Sequence, residues 1–92
     1  MNDFSQGYTE GILDGDSPDS LRPEAQESIY EDCLRFSTEN KHFLLDNYLC
    51  KFHQAGRDFW FARNKIEHNL LTQFCNDYPP VQVFKRNGII YL

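Results

Sequence analysis

The sequence predicts an α+β fold: a small antiparallel sheet of about three strands with a C-terminal hairpin, packed against two to three helices. Three observations lead there. Apolar residues recur at helical spacing in two runs between residues 21 and 55. The segment Arg57-Asp58-Phe59-Trp60-Phe61-Ala62-Arg63 is short and aromatic, as strands are. Asn87-Gly88 separates two apolar segments and is the strongest two-residue hairpin signal. A chain of 92 residues makes one domain and buries roughly 60–65% of its unfolded surface. Eight Phe, five Tyr and one Trp raise the buried area available per residue.

Residues 1–20 carry Gly7, Gly11, Gly15 and Pro18 among spaced acids, a composition that favours a flexible or extended acidic N-terminal arm. Phe4, Tyr8, Ile12 and Leu13 fall at spacings near four, so docking as a short helix is the alternative. The folded domain is then residues 21–92. Ser20 is placed to cap a first helix, with Pro23 and Glu24 in its first turn. Its apolar stripe is Ala25, Ile29, Cys33 and Phe36, widened by Tyr30 and Leu34. A second helix follows on Phe43, Leu44, Tyr48, Leu49 and Phe52, capped by Thr38 or Asn40 and ended near Ala55 by Gly56.

Residues 57–63 read as a strand, with Arg57, Phe59, Phe61 and Arg63 on one face and Asp58, Trp60 and Ala62 on the other. Asn64 and Glu67 form a capping-box pattern for a third helix with the stripe Ile66, Leu70, Leu71, Phe74 and Cys75. Pro79-Pro80 ends it. The hairpin pairs residues 81–86 with 89–92, in a register that sets Arg86 opposite Ile89 and Phe84 opposite Tyr91.

The net charge of −5 is unevenly placed. Residues 1–21 hold five acids and no base; residues 22–50 hold six acids and three bases; residues 51–92 hold three acids and six bases. Such a chain presents an acidic and a basic patch on one small body. The acidic start has no apolar run to serve as a leader, and no stretch reaches the length of a membrane helix. Cys33, Cys50 and Cys75 are odd in number and widely spaced, which fits reduced, mostly buried thiols in a cytosol.

Cys50-x-x-His53 with His68 and Cys75 is the nearest approach to a metal set, but zinc wants ligands paired on tight turns, and Cys75 lies on an apolar stripe. No metal, cofactor or small-molecule substrate is expected. Glu31-Asp32 are neighbouring helix positions that face solvent, no Gly-rich phosphate loop is present, and no enzyme activity is expected. Arg57, Trp60, Arg63, Lys65, Lys85 and Arg86 are the candidate contacts. Bases beside aromatics on one sheet edge suit phosphate contact and base stacking, or an acidic partner. Alternatively the aromatics are core and the bases form a solvated rim.

The segment Gly56-x-Asp58-Phe59-Trp60-x-x-Arg63-Asn64 resembles a short motif in a family of small phage and plasmid proteins. The resemblance extends loosely from the first helix to the hairpin. Where that family continues with a glycine-rich run, this chain has Lys65-Ile66-Glu67-His68. The resemblance implies a mobile-element origin and a site of action in the host cytoplasm. In size and charge balance the chain is similar to anti-CRISPR proteins. The functional expectation is a phage-encoded inhibitor of a host CRISPR-Cas surveillance complex. It binds the ribonucleoprotein, through protein or guide RNA, and blocks target-DNA recognition. A phage structural or regulatory protein and a small nucleic-acid-binding module are the alternatives.

Overall fold

The computed structural model describes residues 2–92. It is helix-rich: α1 (Asp3–Leu13), α2 (Pro23–Glu39), α3 (Lys41–Tyr48) and α4 (Phe52–Arg63), followed by a single hairpin of β1 (Phe84–Arg86) and β2 (Ile89–Tyr91). Short 3-10 turns lie at Pro18–Ser20 and Thr72–Phe74. The α+β expectation holds at this coarser level, but the sheet has two strands rather than three.

Residues 3–13 take the docked-helix form rather than the extended one. Asn2 caps α1, its Oδ1 accepting from the Ser5 N–H at 2.8 Å. The helix ends on Asp14 in the left-handed region (φ 47°), whose N–H returns to the Glu10 carbonyl. Phe4, Tyr8, Ile12 and Leu13 are all buried. The glycines of this segment are packing notches. A Cβ on Gly7 would lie 1.8 Å from the His53 carbonyl oxygen, and one on Gly56 would lie 1.7 Å from that of Phe4. Gly11 gives room to the Trp60 indole, which a Cβ would approach to 2.7 Å. The two backbones, α1 and α4, therefore touch, and only residues without a side chain permit it.

The expected strand at 57–63 is the second half of α4. Its buried residues are Ala55, Gly56, Phe59, Trp60, Ala62 and Arg63, a helical recurrence that extends back before the aromatic run. Three adjacent aromatics suggest a strand only when read without the small residues upstream. The single helix expected over 43–55 is two, because Leu49 takes φ 51° and breaks α3 from α4. The expected third helix does not form. Lys65 adopts φ 59°, and Asn64 does not cap a helix. Its side chain donates to the Trp60 carbonyl at 2.8 Å and accepts from the Val81 N–H at 2.7 Å, tying the end of α4 to the approach to the hairpin. Asn69 holds the intervening loop, donating to the Asp58 carbonyl at 2.9 Å and accepting from the Leu71 N–H at 2.9 Å.

The α2 stripe of Ala25, Ile29, Cys33 and Phe36 is buried as expected, whereas Tyr30 and Leu34 face outward. Phe36 stacks on Phe59 with ring centroids 3.9 Å apart, and Tyr78 meets both edge-on at 5.3 Å. Phe4 and Tyr8 close the cluster from α1. The hairpin has the expected register, with Phe84 opposite Tyr91 and Arg86 opposite Ile89. Asn87 and Gly88 both take positive φ, as a type I′ turn requires. Ile90 is buried and bridges in parallel to Leu21, which joins the hairpin to the start of α2.

Candidate partner-binding surface

The six candidate contacts do not form one patch. Trp60 and Arg63 are buried. Trp60 sits edge-on to Tyr8 with centroids 5.2 Å apart. Arg63 donates to three acceptors: Asp32 Oδ2 at 2.8 Å, the Tyr8 hydroxyl at 3.1 Å, and the Pro79 carbonyl through two nitrogens at 2.8 and 3.2 Å. Its guanidinium also lies over the Phe59 and Tyr78 rings. These two candidates are turned inward rather than to the surface: Trp60 packs between α1 and α4, and Arg63 holds α1, α2, α4 and the Pro79 turn together. A lone arginine falling on the helical recurrence of Ala55, Phe59 and Trp60 is the signal that identifies it as internal.

The other four are exposed. Arg57 lies over the Phe61 ring at 5.5 Å on α4, and Lys65 stands on the loop after α4. Lys85 pairs with Asp16 at 2.6 Å, and this bond holds its ammonium pKa above the ordinary value. Arg86 projects from the hairpin, exposed. The basic hairpin is therefore folded back on the acidic N-terminal region, and part of the charge asymmetry is satisfied within the chain.

What remains exposed is mainly acidic. Glu27 and Glu31 lie one turn apart on the outer side of α2, and Asp14 and Asp19 lie on the connection from α1. Among the described residues none of these four makes an ion pair within 4.0 Å. Besides Asp16 and Asp32, the engaged carboxylates include Glu10 with His53, Glu24 with Arg22, Glu39 with Arg35 and the Tyr78 hydroxyl, and Asp58 with the Tyr48 hydroxyl and Gln54.

The three cysteines are free thiols: Cys33 buried, Cys75 half-buried, and Cys50 exposed where a buried thiol was expected. Burial first, and then the nearby Asp32 carboxylate, raises the Cys33 pKa far above its ordinary value. Burial pushes Cys75 up to about 11, against the opposing pull of Arg63. Neither is an activated nucleophile. Among the described residues no group of three or more His, Cys, Asp or Glu side chains is gathered to hold a metal, so Cys50, His53, His68 and Cys75 do not converge. Among the described residues no helix is long and apolar enough to cross a membrane.

No known family matches the chain, no curated protein is significantly similar to it in sequence, and no solved structure is significantly similar to its fold.

Proposed function

We propose that this chain is a stoichiometric binding protein of phage origin that disables a host CRISPR-Cas surveillance complex in the host cytoplasm by occupying its nucleic-acid path. The observation that carries the reading is the exposed acidic side formed by the α1–α2 connection and α2. Glu27 and Glu31, four residues apart on one face of a helix, offer negative charge at an interval of about 6 Å along its axis, and lysines and arginines that hold DNA phosphates will accept it. The resemblance of Gly56 to Asn64 to a phage and plasmid motif supports the origin. Direct binding of guide RNA is the weaker route, because Arg63 is internal and Lys85 is engaged by Asp16.

The test is target-DNA binding by purified surveillance complexes with and without excess protein. At least one complex is expected to lose DNA binding at a stoichiometric dose and to co-elute with the chain. Replacing Asp19, Glu27 and Glu31 together by lysine is expected to restore DNA binding without changing the far-ultraviolet spectrum. If every complex retains DNA binding and none co-elutes, the inhibitor reading fails.

A further inference from the structure

Beside the acidic side lies an apolar groove of about 470 Å³, walled by Phe4, Leu44, Leu45, Phe52, Thr38 and Lys41. Its size is that of a site which accepts large side chains. Leu34, 48% exposed, stands one turn before Thr38, and Tyr30, also 48% exposed, one turn before that. Beyond Leu45 comes Leu49, 69% exposed and held at φ 51°. A leucine kept in the left-handed region without burial gains no packing for its strain. Leu45 thus lines the groove, Tyr30 and Leu34 continue along α2 from its Thr38 wall at helical spacing, and Leu49 follows α3, all exposed where an isolated monomer gains nothing from them.

We infer that this face docks a basic amphipathic helical segment of the partner protein; the inference rests on the chain being a stoichiometric binder and names the chemistry of what it binds. Charge selects the occupant. Glu27 and Glu31 flank Tyr30 and Leu34 on α2 and Asp46 follows Leu45, while Asp3 and Lys41 are the one acid and the one base in the groove wall. Nucleic acid is repelled by these carboxylates and has no apolar face to offer the leucines. A second copy in a two-fold dimer sets the same acids against each other. A helix with leucine-like residues on one side and lysine or arginine on its flanks satisfies both features, its apolar residues entering the groove and its bases meeting α2.

The experiment titrates the full-length, methyl-labelled chain with a synthetic Leu/Lys amphipathic peptide and with its Leu/Glu counterpart, followed by nuclear magnetic resonance and sedimentation. The Leu/Lys peptide is expected to shift the methyls of Leu34, Leu44, Leu45 and Leu49, and the Leu/Glu peptide is not. Leu45→Glu and Leu49→Glu are each expected to weaken binding at least about tenfold. Both sites are exposed, so the fold is retained and checked by the unshifted hairpin methyls. Equal response to both peptides, shifts confined elsewhere, or unchanged binding in both variants overturns the inference. So does a dimer that Leu49→Glu dissociates. Loss of DNA-binding inhibition is expected from the same variants. Inhibition that survives them overturns this surface and leaves the inhibitor reading standing, whereas peptide docking with no complex inhibited does the reverse.

Discussion

Arg63 is the residue on which the most elements converge. Burial opposes its charge, but the Tyr8 oxygen and Asp32 outweigh that and hold its pKa above the ordinary value. Reversing its charge does not leave the fold intact, as it would at a rim position. Arg63→Leu leaves the Tyr8 hydroxyl and the Pro79 carbonyl without their donor, a loss of about 2–3 kcal/mol. The Asp32 side chain is 37% exposed, so the Coulomb part of the loss is screened and adds little. Arg63→Lys is not expected to restore stability, since one ammonium cannot span acceptors that the planar fork reaches together. Arg86→Glu on the exposed hairpin is the control, expected to change stability by less than about 0.5 kcal/mol. Urea denaturation checks all three; equal midpoints for Arg63→Leu and the native chain would remove Arg63 from its structural role.

At the scale of elements, the contact between α1 and α4 decides the architecture. Gly7→Ala and Gly56→Ala each place a methyl against a rigid carbonyl of the facing helix, so the helices must part. Each is expected to lose about 3 kcal/mol, the upper range for overpacking. Gly11→Ala, which meets an indole that is able to shift, is expected to lose less. The order of denaturation midpoints tests this, and a Gly7→Ala variant as stable as the native chain would contradict the close crossing. The same contact explains what the sequence conceals. Glycines at 7 and 11 read as markers of flexibility because the groups they make room for, the His53 carbonyl and the Trp60 indole, lie far away in the chain, and nothing local distinguishes a notch from a hinge. The aromatic run misleads for a related reason: a helix buried on a wide face carries adjacent aromatics, and strand preference is a weak prior against tertiary packing. Features set by local chemistry were legible: the α2 stripe and the Asn87-Gly88 turn with its register. Of the candidate contacts, the exposed bases were legible as rim residues. The partners of Arg63 were not, because Asp32, Tyr8 and Pro79 come from three other parts of the chain; its place on the helical recurrence of α4 is the one local mark of its internal position.

For the molecule as a whole, the protons on its buried phenols and thiols link stability to alkaline pH. Burial is the first cause raising the pKa of Tyr8, Cys33, Tyr48, Tyr78 and Cys75, the last to about 11 and the others beyond. In the unfolded chain thiols lose protons near about pH 8.5 and phenols near about 10. Above those values the unfolded state binds fewer protons than the native one, so stability falls as pH rises. The contribution of these groups is expected to be level between about pH 6 and 8 and to decline continuously up to about pH 11. Urea midpoints measured across that range check it, and a flat profile would contradict the burial of these groups.

The pairing of α1 with α4 also has a consequence in time. Tyr8 and Arg63, which hydrogen-bond in the finished protein, are 55 positions apart. During synthesis α1 is made before α2 and α4; α2 brings Phe36 against Phe4, but the Phe59 and Trp60 rings that cover Tyr8 arrive only with α4. The Pro79 carbonyl that completes the arginine's coordination emerges later still. Nascent chains therefore carry a partly uncovered, acid-flanked helix until α4 is made, and the acids beside it keep that helix in solution while it waits.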